Sequence, residues 1–277
     1  MKKFKYVKTR RIEKQEIQAR MEKLLQELKE VFEEHNLRYY LWGGTLIGAA
    51  LYKGFIPWDD DIDIGMPRED YNKLIELARQ GKLKNTLWCN ELNKNYKYLF
   101  AKYCEDGTLI EEKYTNAGQI GLFVDIFPVN GLGNTWEEAR RTHKRIKPWH
   151  YLYWASITPM KIRWLLLIPP VTPLFFAWKF LFKKMNKIYK EKDFDTNKYV
   201  GMMGVKIRDR EIYERIWFDD GGELPFNGVM YSAPNHNERL DRNYGPRWRI
   251  PQPEEERVIH DFKAWEIKIV EKKKKGS

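Results

Sequence analysis

The feature that most constrains this 277-residue chain is an acidic run that passes into an alternation of acidic and apolar residues, Asp59 to Ile64. Side chains on a strand point alternately to its two faces. The pattern therefore predicts a strand with one apolar face and one acidic face that carries Asp59, Asp61 and Asp63. Like charges this close are costly unless solvent or a cation balances them.

We expect a divalent cation to balance these carboxylates, because the neighbouring Trp58, Ile62 and Ile64 are typical core residues. A solvated acidic face is the alternative. A third acid, Asp125, lies alone in the apolar strand from Leu122 to Ile126, and the same cation reached from a neighbouring strand would give it a partner. Carboxylate oxygens without other ligand types favour Mg²⁺ or Mn²⁺ and disfavour zinc.

A glycine turn precedes the acidic run. Gly43, Gly44 and Thr45 stand between a short strand candidate, Arg38 to Trp42, and an apolar helical stretch, Leu46 to Tyr52. Exposed backbone N–H groups and a hydroxyl near a positive helix end are suited to binding phosphate. A glycine pair before a helix is also common as a simple turn.

The remaining pattern predicts a mixed α/β domain. Apolar residues recur at three- and four-residue intervals over residues 12 to 32 and indicate a helix that ends at Asn36. The other predicted elements are helices at Arg68 to Arg79, Glu211 to Trp217 and Asn235 to Arg242, and strands at Thr86 to Cys89, Tyr98 to Tyr103, Gln119 to Phe127 and Val229 to Ser232.

The formal charge of +11 is concentrated at the two ends of the chain. Residues 1–14 carry +6 and residues 271–277 carry +3, so the stretch between them is nearly neutral. A neutral body argues against binding to nucleic acid, whereas basic termini suit an anionic membrane surface; solvated tails are the alternative. No apolar run of signal-peptide length follows the basic start, so we expect a protein of the cytoplasmic side that is not secreted. Cys89 and Cys104 lack metal-ligand spacing and are predicted to be reduced core thiols.

Residues 148–182 are crowded with aromatic and aliphatic side chains and are interrupted by prolines. The prolines at positions 169, 170 and 173 argue against one spanning helix, so we predict two short amphipathic helices in the membrane interface. An apolar hairpin packed on protein is the alternative. This change divides the chain into a catalytic core at 1–147, an apolar insertion at 148–185 and a C-terminal region at 186–277 that completes the catalytic domain.

Three blocks of the chain resemble a known family. The order of Gly43-Gly44-Thr45, Asp61-Ile62-Asp63-Ile64 and Val124-Asp125-Ile126 is similar to that of the nucleotidyltransferase superfamily. Within it, the run Gly43 to Tyr71 resembles the signature of the LicD family, which includes bacterial phosphocholine transferases and is related to fukutin-type proteins. Gly121 to Leu132 and, more loosely, Tyr244 to His260 are similar to further blocks of that family.

The resemblance implies an α+β fold with a nucleotidyltransferase-like mixed sheet flanked by helices. It also implies transfer of a phosphorylated alcohol, typically phosphocholine, from a donor such as CDP-choline to a hydroxyl of a cell-envelope glycan, with release of CMP. Mg²⁺ held by Asp61, Asp63 and Asp125, with Asp59 as a fourth acid, would neutralise the diphosphate. Asp125 or Asp63 would accept the proton of the hydroxyl.

Other basic residues are candidates for contacts with the substrates. Lys102 stands where the family has a basic residue, so we expect it to contact the donor phosphate; a salt bridge at the sheet edge is the alternative. Arg257 and His260 would contact donor or acceptor, or serve as structural groups. Pro246-Arg247-Trp248 is bulkier and more basic than the family pattern, which leaves the acceptor open.

Two other functions fit the same pattern. Transfer of the nucleotide itself would leave a nucleotide-labelled product in place of free CMP. A membrane-bound or nucleic-acid adaptor without activity would not need the acids at positions 61, 63 and 125. We therefore favour a peripheral enzyme on the cytoplasmic face of the membrane that acts on a lipid-linked glycan.

Overall fold

The computed structural model describes residues 5–111, 120–157, 177–202, 207–257 and 262–270. Its helices are α1 (Lys14–Glu34), α2 (Gly43–Tyr52), α3 (Arg68–Arg79), α4 (Trp136–Ile157), α5 (Trp178–Tyr189), α6 (Ile216–Asp219) and α7 (His236–Tyr244). Its strands are β1 (Lys5–Ile12), β2 (Tyr40–Leu41), β3 (Asp63–Pro67), β4 (Thr86–Trp88), β5 (Ala101–Cys104), β6 (Thr108–Glu111), β7 (Phe123–Gly133), β8 (Tyr199–Met202), β9 (Ile212–Glu214), β10 (Gly222–Phe226), β11 (Val229–Ala233) and β12 (Lys263–Val270). The predicted α+β class is confirmed.

A mixed sheet in the order β2-β3-β7-β5-β4 forms the centre of the fold. β3 and β7 are parallel, and the other neighbouring pairs are antiparallel. The C-terminal half of β7 pairs with β8, which in turn pairs with β9. Two smaller sheets, β1-β12-β6 and the hairpin β10-β11, complete the strands of the described residues.

β7 extends farther than the sequence predicts, and it passes through Pro128. β5 pairs with β7 up to Ile126, and β8 takes over from Val129. Pro128 thus lies where the strand exchanges partners, the place at which a missing N–H interrupts the ladder least. The exchange lets one buried strand belong to both halves of the sheet.

α1 packs against the sheet with the apolar face that its spacing predicts. Its buried residues are Ile17, Met21, Leu24, Leu25, Leu28 and Phe32, and they belong to the main core. Asn36 follows the helix with φ of +51°, a left-handed conformation that ends helices. The predicted helix and its end are both confirmed.

Two expectations about local structure are wrong. The basic segment 5–12 is not a solvated tail, because it pairs with β12, and Arg10 Nη2 lies 2.6 Å from Glu266 Oε1. The predicted helix Glu211 to Trp217 is a 3₁₀ turn, then β9, then α6. Ile212 and Tyr213 are buried against β8, and β-branched and aromatic residues suit such a strand.

The apolar insertion is described only at its two flanks. α4 runs without a break across the 147/148 boundary, and it packs against α5 through buried residues that include Tyr153, Leu181 and Met185. Residues 158–176 lie outside the described residues. None of the described helices combines the length and the apolar character that a membrane span requires. The two interfacial helices predicted within residues 148–182 therefore stay a prediction.

Candidate functional site

The candidate site is a row of charged side chains across three neighbouring strands. Asp63 is the first residue of β3 and lies opposite Asp125 of β7, and Asp125 lies opposite Lys102 of β5. Side chains at directly opposed positions share one face of a sheet. The strand register therefore brings two predicted acids and the predicted lysine together.

Asp125 and Lys102 form a buried ion pair. Lys102 Nζ donates a hydrogen bond of 2.6 Å to Asp125 Oδ1, and the two side chains are 4% and 10% exposed. The ammonium also lies 3.2 Å from the centre of the Phe123 ring. Asp125 thus has a partner in Lys102, and the cation that the sequence analysis expects in this role stays a prediction. The alternative for Lys102 was a salt bridge at the edge of the sheet. The salt bridge is present, but β5 is not an edge strand, because Lys102 also pairs with Trp88 of β4.

Asp59 and Asp61 lie in the loop before β3, so the predicted strand from Asp59 is wrong. Side chains of α1 hold the backbone of this loop and replace a partner strand. Lys14 Nζ donates to the Trp58 carbonyl oxygen at 3.0 Å, and Gln18 Nε2 donates to the Asp59 carbonyl oxygen at 2.8 Å. These contacts hold the loop so that its acids lie toward β3. The alternating side-chain directions of a strand are not the cause.

The two glycines at the start of α2 lie against the acids. A methyl group on Gly43 would come within 2.4 Å of Asp63 Oδ2, and one on Gly44 within 2.5 Å of Asp59 Oδ2. Gly43 also has φ of +50°, which favours glycine. Thr45 Oγ1 accepts a 2.8 Å hydrogen bond from the Asp63 backbone N–H. The positive end of α2 thus stabilises negative charge at the site.

Crowding of the acids changes their ionisation. The pKa of Asp59 is raised to about 7, first by burial and then by the charge of the neighbouring Asp61 and a hydrogen bond with it. Burial also raises the pKa of Asp63 well above its usual value, with added repulsion from Asp61, Asp125 and Asp59, while Lys102 opposes the shift. Without a compensating cation, the site therefore disfavours full ionisation of its acids.

The donor chemistry of these acids fits a hard divalent cation. All the candidate ligands are carboxylate oxygens, and a bound cation would relieve the repulsion that raises the pKa values of Asp59 and Asp63. In the part of the chain that the structure describes, no three His, Cys, Asp or Glu side chains already surround a common point. Binding of an ion would require the carboxylates to turn toward it.

The other predicted contact residues have different positions. The guanidinium of Arg257 lies 4.2 Å from the centre of the Trp58 ring, next to the acidic loop, and Arg257 Nε donates to the Gln252 carbonyl oxygen at 3.4 Å. His260 lies outside the described residues. Cys89 and Cys104 are buried free cysteines, as predicted.

Sequence reasoning missed two residues beside the site. Arg239 of α7 is 1% exposed, and its guanidinium lies 3.6 Å from the centre of the Trp42 ring. Its Nε and Nη1 atoms have no hydrogen-bond acceptor among the described residues. Burial raises the pKa of the Tyr244 phenol and the charge of Asp63 adds to the shift, although 46% of Tyr244 is exposed. An arginine in a polar helix looks like a surface residue, so no local signal marks Arg239.

The acids of this mixed sheet lie at the junction of a glycine turn and two parallel strands, the arrangement that the sequence analysis expects of a nucleotidyltransferase-type domain. Residues 36–164 match the family model described as LicD/FKTN/FKRP, nucleotidyltransferase domain. Residues 36–164 thus carry a LicD-type nucleotidyltransferase domain.

Curated relatives agree with this assignment. The chain is 26% identical over 256 residues to the lipopolysaccharide cholinephosphotransferase LicD of Haemophilus influenzae, an alignment that covers 84% of this chain and 90% of that protein. A shorter stretch of 47 residues is 45% identical to the human ribitol 5-phosphate transferase FKRP and covers 17% of this chain and 10% of FKRP. An uncharacterised protein of Rickettsia typhi is 25% identical over 138 residues, which are 42% of this chain and 45% of that protein. Both characterised relatives are named as transferases of a phosphorylated alcohol.

Proposed function

We propose that this protein transfers a phosphorylated alcohol, phosphocholine in the first instance, from a CDP-linked donor to a hydroxyl group of a cell-envelope glycan. The acceptor class includes precursors of teichoic acid and lipopolysaccharide. The observation that carries the proposal is the row formed by Asp63, Asp125 and Lys102, with the acidic loop beside it. The long alignment with a cholinephosphotransferase supports the choice of alcohol.

We assign the metal ligands to Asp61, Asp63 and Asp125, with Asp59 as a fourth acid. A bound Mg²⁺ or Mn²⁺ would supply charge neutralisation for the diphosphate of the donor. Lys102 holds Asp125 in place by the 2.6 Å ion pair, and it adds one fixed positive charge to the row. We assign the N–H groups of Gly43 and Gly44 and the Thr45 hydroxyl, at the start of α2, to a phosphate oxygen of the donor.

The proposed reaction is a displacement at the phosphorus atom that carries the alcohol. The acceptor oxygen forms a new bond to this phosphorus, and the bond from phosphorus to the oxygen shared with CMP breaks. The electron pair of the broken bond leaves with CMP. The proton of the acceptor hydroxyl passes to a carboxylate of the row, Asp63 or Asp125.

Release of CMP tests this assignment. The purified protein is incubated with Mg²⁺ and CDP-choline, CDP-glycerol, CDP-ribitol or CDP-ethanolamine, with and without a lipid-linked glycan. We expect CMP and a phosphoalcohol-labelled glycan in equal amounts, and we expect neither with Asp61→Asn or Asp63→Asn. Turnover by both variants at the wild-type rate would show that the site is assigned wrongly.

Nucleotidyl transfer is a second candidate, because the matching family model is described as a nucleotidyltransferase domain. The two reactions differ in the bond that breaks. A donor labelled in the nucleotide separates them, since nucleotidyl transfer puts this label on the acceptor and phosphoalcohol transfer leaves it in CMP. Label on the acceptor would favour the second candidate.

We also propose that the protein binds peripherally to the cytoplasmic face of the cell membrane. The helices that flank residues 158–176 expose large apolar side chains: Tyr151, Leu152, Trp154 and Phe180, which are 39% to 62% exposed. Aromatic side chains at a membrane surface favour the interfacial region. Enzyme and lipid-linked acceptor would then meet on the same surface.

Sedimentation with anionic liposomes tests the membrane proposal. We expect the wild type to sediment with the vesicles and a deletion of residues 158–176 to stay in the supernatant. Charge insertion near Leu166 and Phe176 should have the same effect. Equal sedimentation of wild type and variants would refute the role of this segment.

A further inference from the structure

An aromatic cavity lies beside the acidic loop and has no part in the assignments above. Its volume is about 420 Å³, and ten of its thirteen lining residues are aliphatic, aromatic or proline. Four aromatic side chains contribute to the wall: Tyr52, Trp58, Tyr244 and Trp248. Cavities of this size and character bind small organic groups.

The cavity and the acids meet at Gly44. From the point where a Cβ atom would stand on Gly44, Asp59 Oδ2 is 2.5 Å away and Ile56 Cδ1 is 3.9 Å away. Ile56 lines the cavity, and Trp58 directly precedes Asp59 in the chain. A ligand whose phosphate lies at the acids therefore has this cavity within reach of its next few atoms.

The aromatic walls are suited to a positive charge. The Tyr52 and Trp58 rings meet edge to face with their centres 6.3 Å apart, and they form a corner of the cavity. Trp58 and Trp248 already attract guanidinium groups, from Arg257 at 4.2 Å and from Arg249 at 4.5 Å. Quaternary ammonium groups bind to aromatic walls of this kind because the faces of the rings carry partial negative charge.

The polar groups of the cavity are few. Besides the tyrosine hydroxyls, the polar lining side chains are Arg247, Gln252 and Glu256, of which one is basic and one is acidic. The indole N–H of Trp248 is already used, since it donates to Asp241 Oδ1 at 2.8 Å. A polyol would leave hydroxyl groups against apolar walls without partners, which is unfavourable. The methyl groups of a quaternary ammonium group need no hydrogen-bond partners, so their burial against these walls does not carry this cost.

We propose that this cavity is the subsite for the alcohol of the donor and that it selects a quaternary ammonium group over a polyol. The proposal rests on the proposed function and deepens it, because it names the residues that choose the alcohol. Tyr52 and Trp58 contact the cation through their rings, and Tyr244 and Trp248 complete the wall. Glu256 contributes a negative charge at the rim.

Binding measurements without any glycan test the subsite apart from the transfer reaction. Dissociation constants in Mg²⁺ are measured by calorimetry for CDP-choline, for its neutral analogue with a tert-butyl group in place of trimethylammonium, and for CDP-glycerol. We expect the wild type to bind CDP-choline about tenfold more tightly than the neutral analogue. We expect CDP-glycerol to bind more weakly still.

Substitutions in the wall of the cavity test which residues contact the cation. Trp58→Leu and Tyr52→Leu should each remove most of the preference for CDP-choline over the neutral analogue, whereas Trp58→Phe should keep it. Trp265→Leu is the matched control, because Trp265 also has a cation over its ring, Lys8, but does not line the cavity. Thermal unfolding of each variant shows whether it is folded, and Trp58→Phe and Tyr52→Leu keep the test decisive if Trp58→Leu does not fold.

The outcomes separate this proposal from the proposed function. Equal binding of the three donors, or wall variants that change no preference, overturns the subsite even if transfer occurs. Tight, wall-dependent binding of CDP-choline without transfer to any glycan supports the subsite and counts against the proposed reaction. Binding of an isoprenyl phosphate that the wall substitutions abolish, together with CDP-choline binding that they leave unchanged, would assign the cavity to a lipid acceptor and overturn the proposal.

Discussion

Lys102 Nζ lies 2.6 Å from Asp125 Oδ1, and both side chains are buried in the central sheet. A buried ion pair is costly to break from one side, because the remaining charge loses its compensation. The pair therefore connects the stability of the fold with the electrostatics of the site.

Lys102→Met should lower the free energy of unfolding by about 3 kcal/mol, because it leaves Asp125 buried without its lysine. The double variant Lys102→Met/Asp125→Asn should recover part of this loss. Urea denaturation at pH 7 measures both. The control is Lys84→Met, since the Lys84–Glu30 pair is largely exposed and such pairs contribute less than about 1 kcal/mol. Equal losses for the Lys102 and Lys84 variants would contradict a compensating role for Lys102.

Asp63→Asn should abolish transfer and raise stability in the absence of divalent ions. The folded protein raises the pKa of Asp63 well above 3.8, first by burial and then by repulsion from other acids. A raised folded pKa means that stability is lost as pH rises from the unfolded value through the folded one. The advantage of the variant over wild type should therefore grow from pH 4 to pH 8 in denaturation measured in EDTA. Asp106→Asn, in a distant turn, is the control; an advantage that does not change with pH would count against the explanation.

Binding of Mn²⁺ should weaken as the pH falls below about 7. Burial and the neighbouring Asp61 raise the pKa of Asp59 to about 7, and a carboxylate must lose its proton to bind a metal ion. We expect the dissociation constant to rise by roughly fivefold from pH 7 to pH 6 if binding releases this one proton. Calorimetry in two buffers of different ionisation enthalpy counts the protons. Asp59→Asn should flatten this dependence, and an unchanged slope would remove Asp59 from the ligand set.

Gly44→Ala should lower the rate of transfer strongly but change the stability of the fold little. The added methyl group would stand 2.5 Å from Asp59 Oδ2, so the carboxylate must move, while alanine itself favours the helix by up to about 1 kcal/mol. We expect a change in unfolding free energy within about 1 kcal/mol and a loss of transfer rate of about tenfold or more. Gly222→Ala is the matched control, because a methyl group there would meet no atom within 4 Å. Equal rates for the two variants would show that the position of Asp59 does not matter.

Acid should destabilise the protein through His143, which is far from the acids in sequence and is 3% exposed. Burial lowers the pKa of His143 from 6.5 to about 4. Between these values the unfolded chain binds the proton and the folded protein does not, so stability falls as the pH drops from 6.5 to 4. In His143→Gln, the fall in the free energy of unfolding from pH 6.5 to pH 4 should be smaller by roughly 3 kcal/mol. The control is His35→Gln, at a partly exposed position; the same slope in both variants would exclude His143 as the cause.

Much of the site was predictable from short sequence patterns. Asp61, Asp63, Asp125 and the glycine turn each stand in a short pattern that only a few structures can accommodate. The pairing of Asp125 with Lys102 depends on strand register between segments 23 residues apart, and the sequence does not contain that register. The strand predicted from Asp59 fails for a related reason, since the loop depends on Lys14 and Gln18 of a distant helix.

The aromatic cavity shows the same limit in another form. Its walls come from two regions of the chain, residues 47–58 and residues 244–256. Each region looks ordinary by itself, with apolar residues that could equally belong to the core. The two regions form one cavity, next to the acids, only in the folded protein.

The pairing of β1 with β12 has a consequence for how the protein is made. Thr9 Oγ1 donates to the Glu266 carbonyl oxygen across 257 residues of sequence, and β12 also joins β6 to the same sheet. Neither β1 nor β6 has its partner until residues 263–270 have left the ribosome. The three-stranded sheet therefore cannot form during synthesis before the segments between β1 and β12 have been made, and until then β1 lacks its partner strand and leaves an edge unpaired.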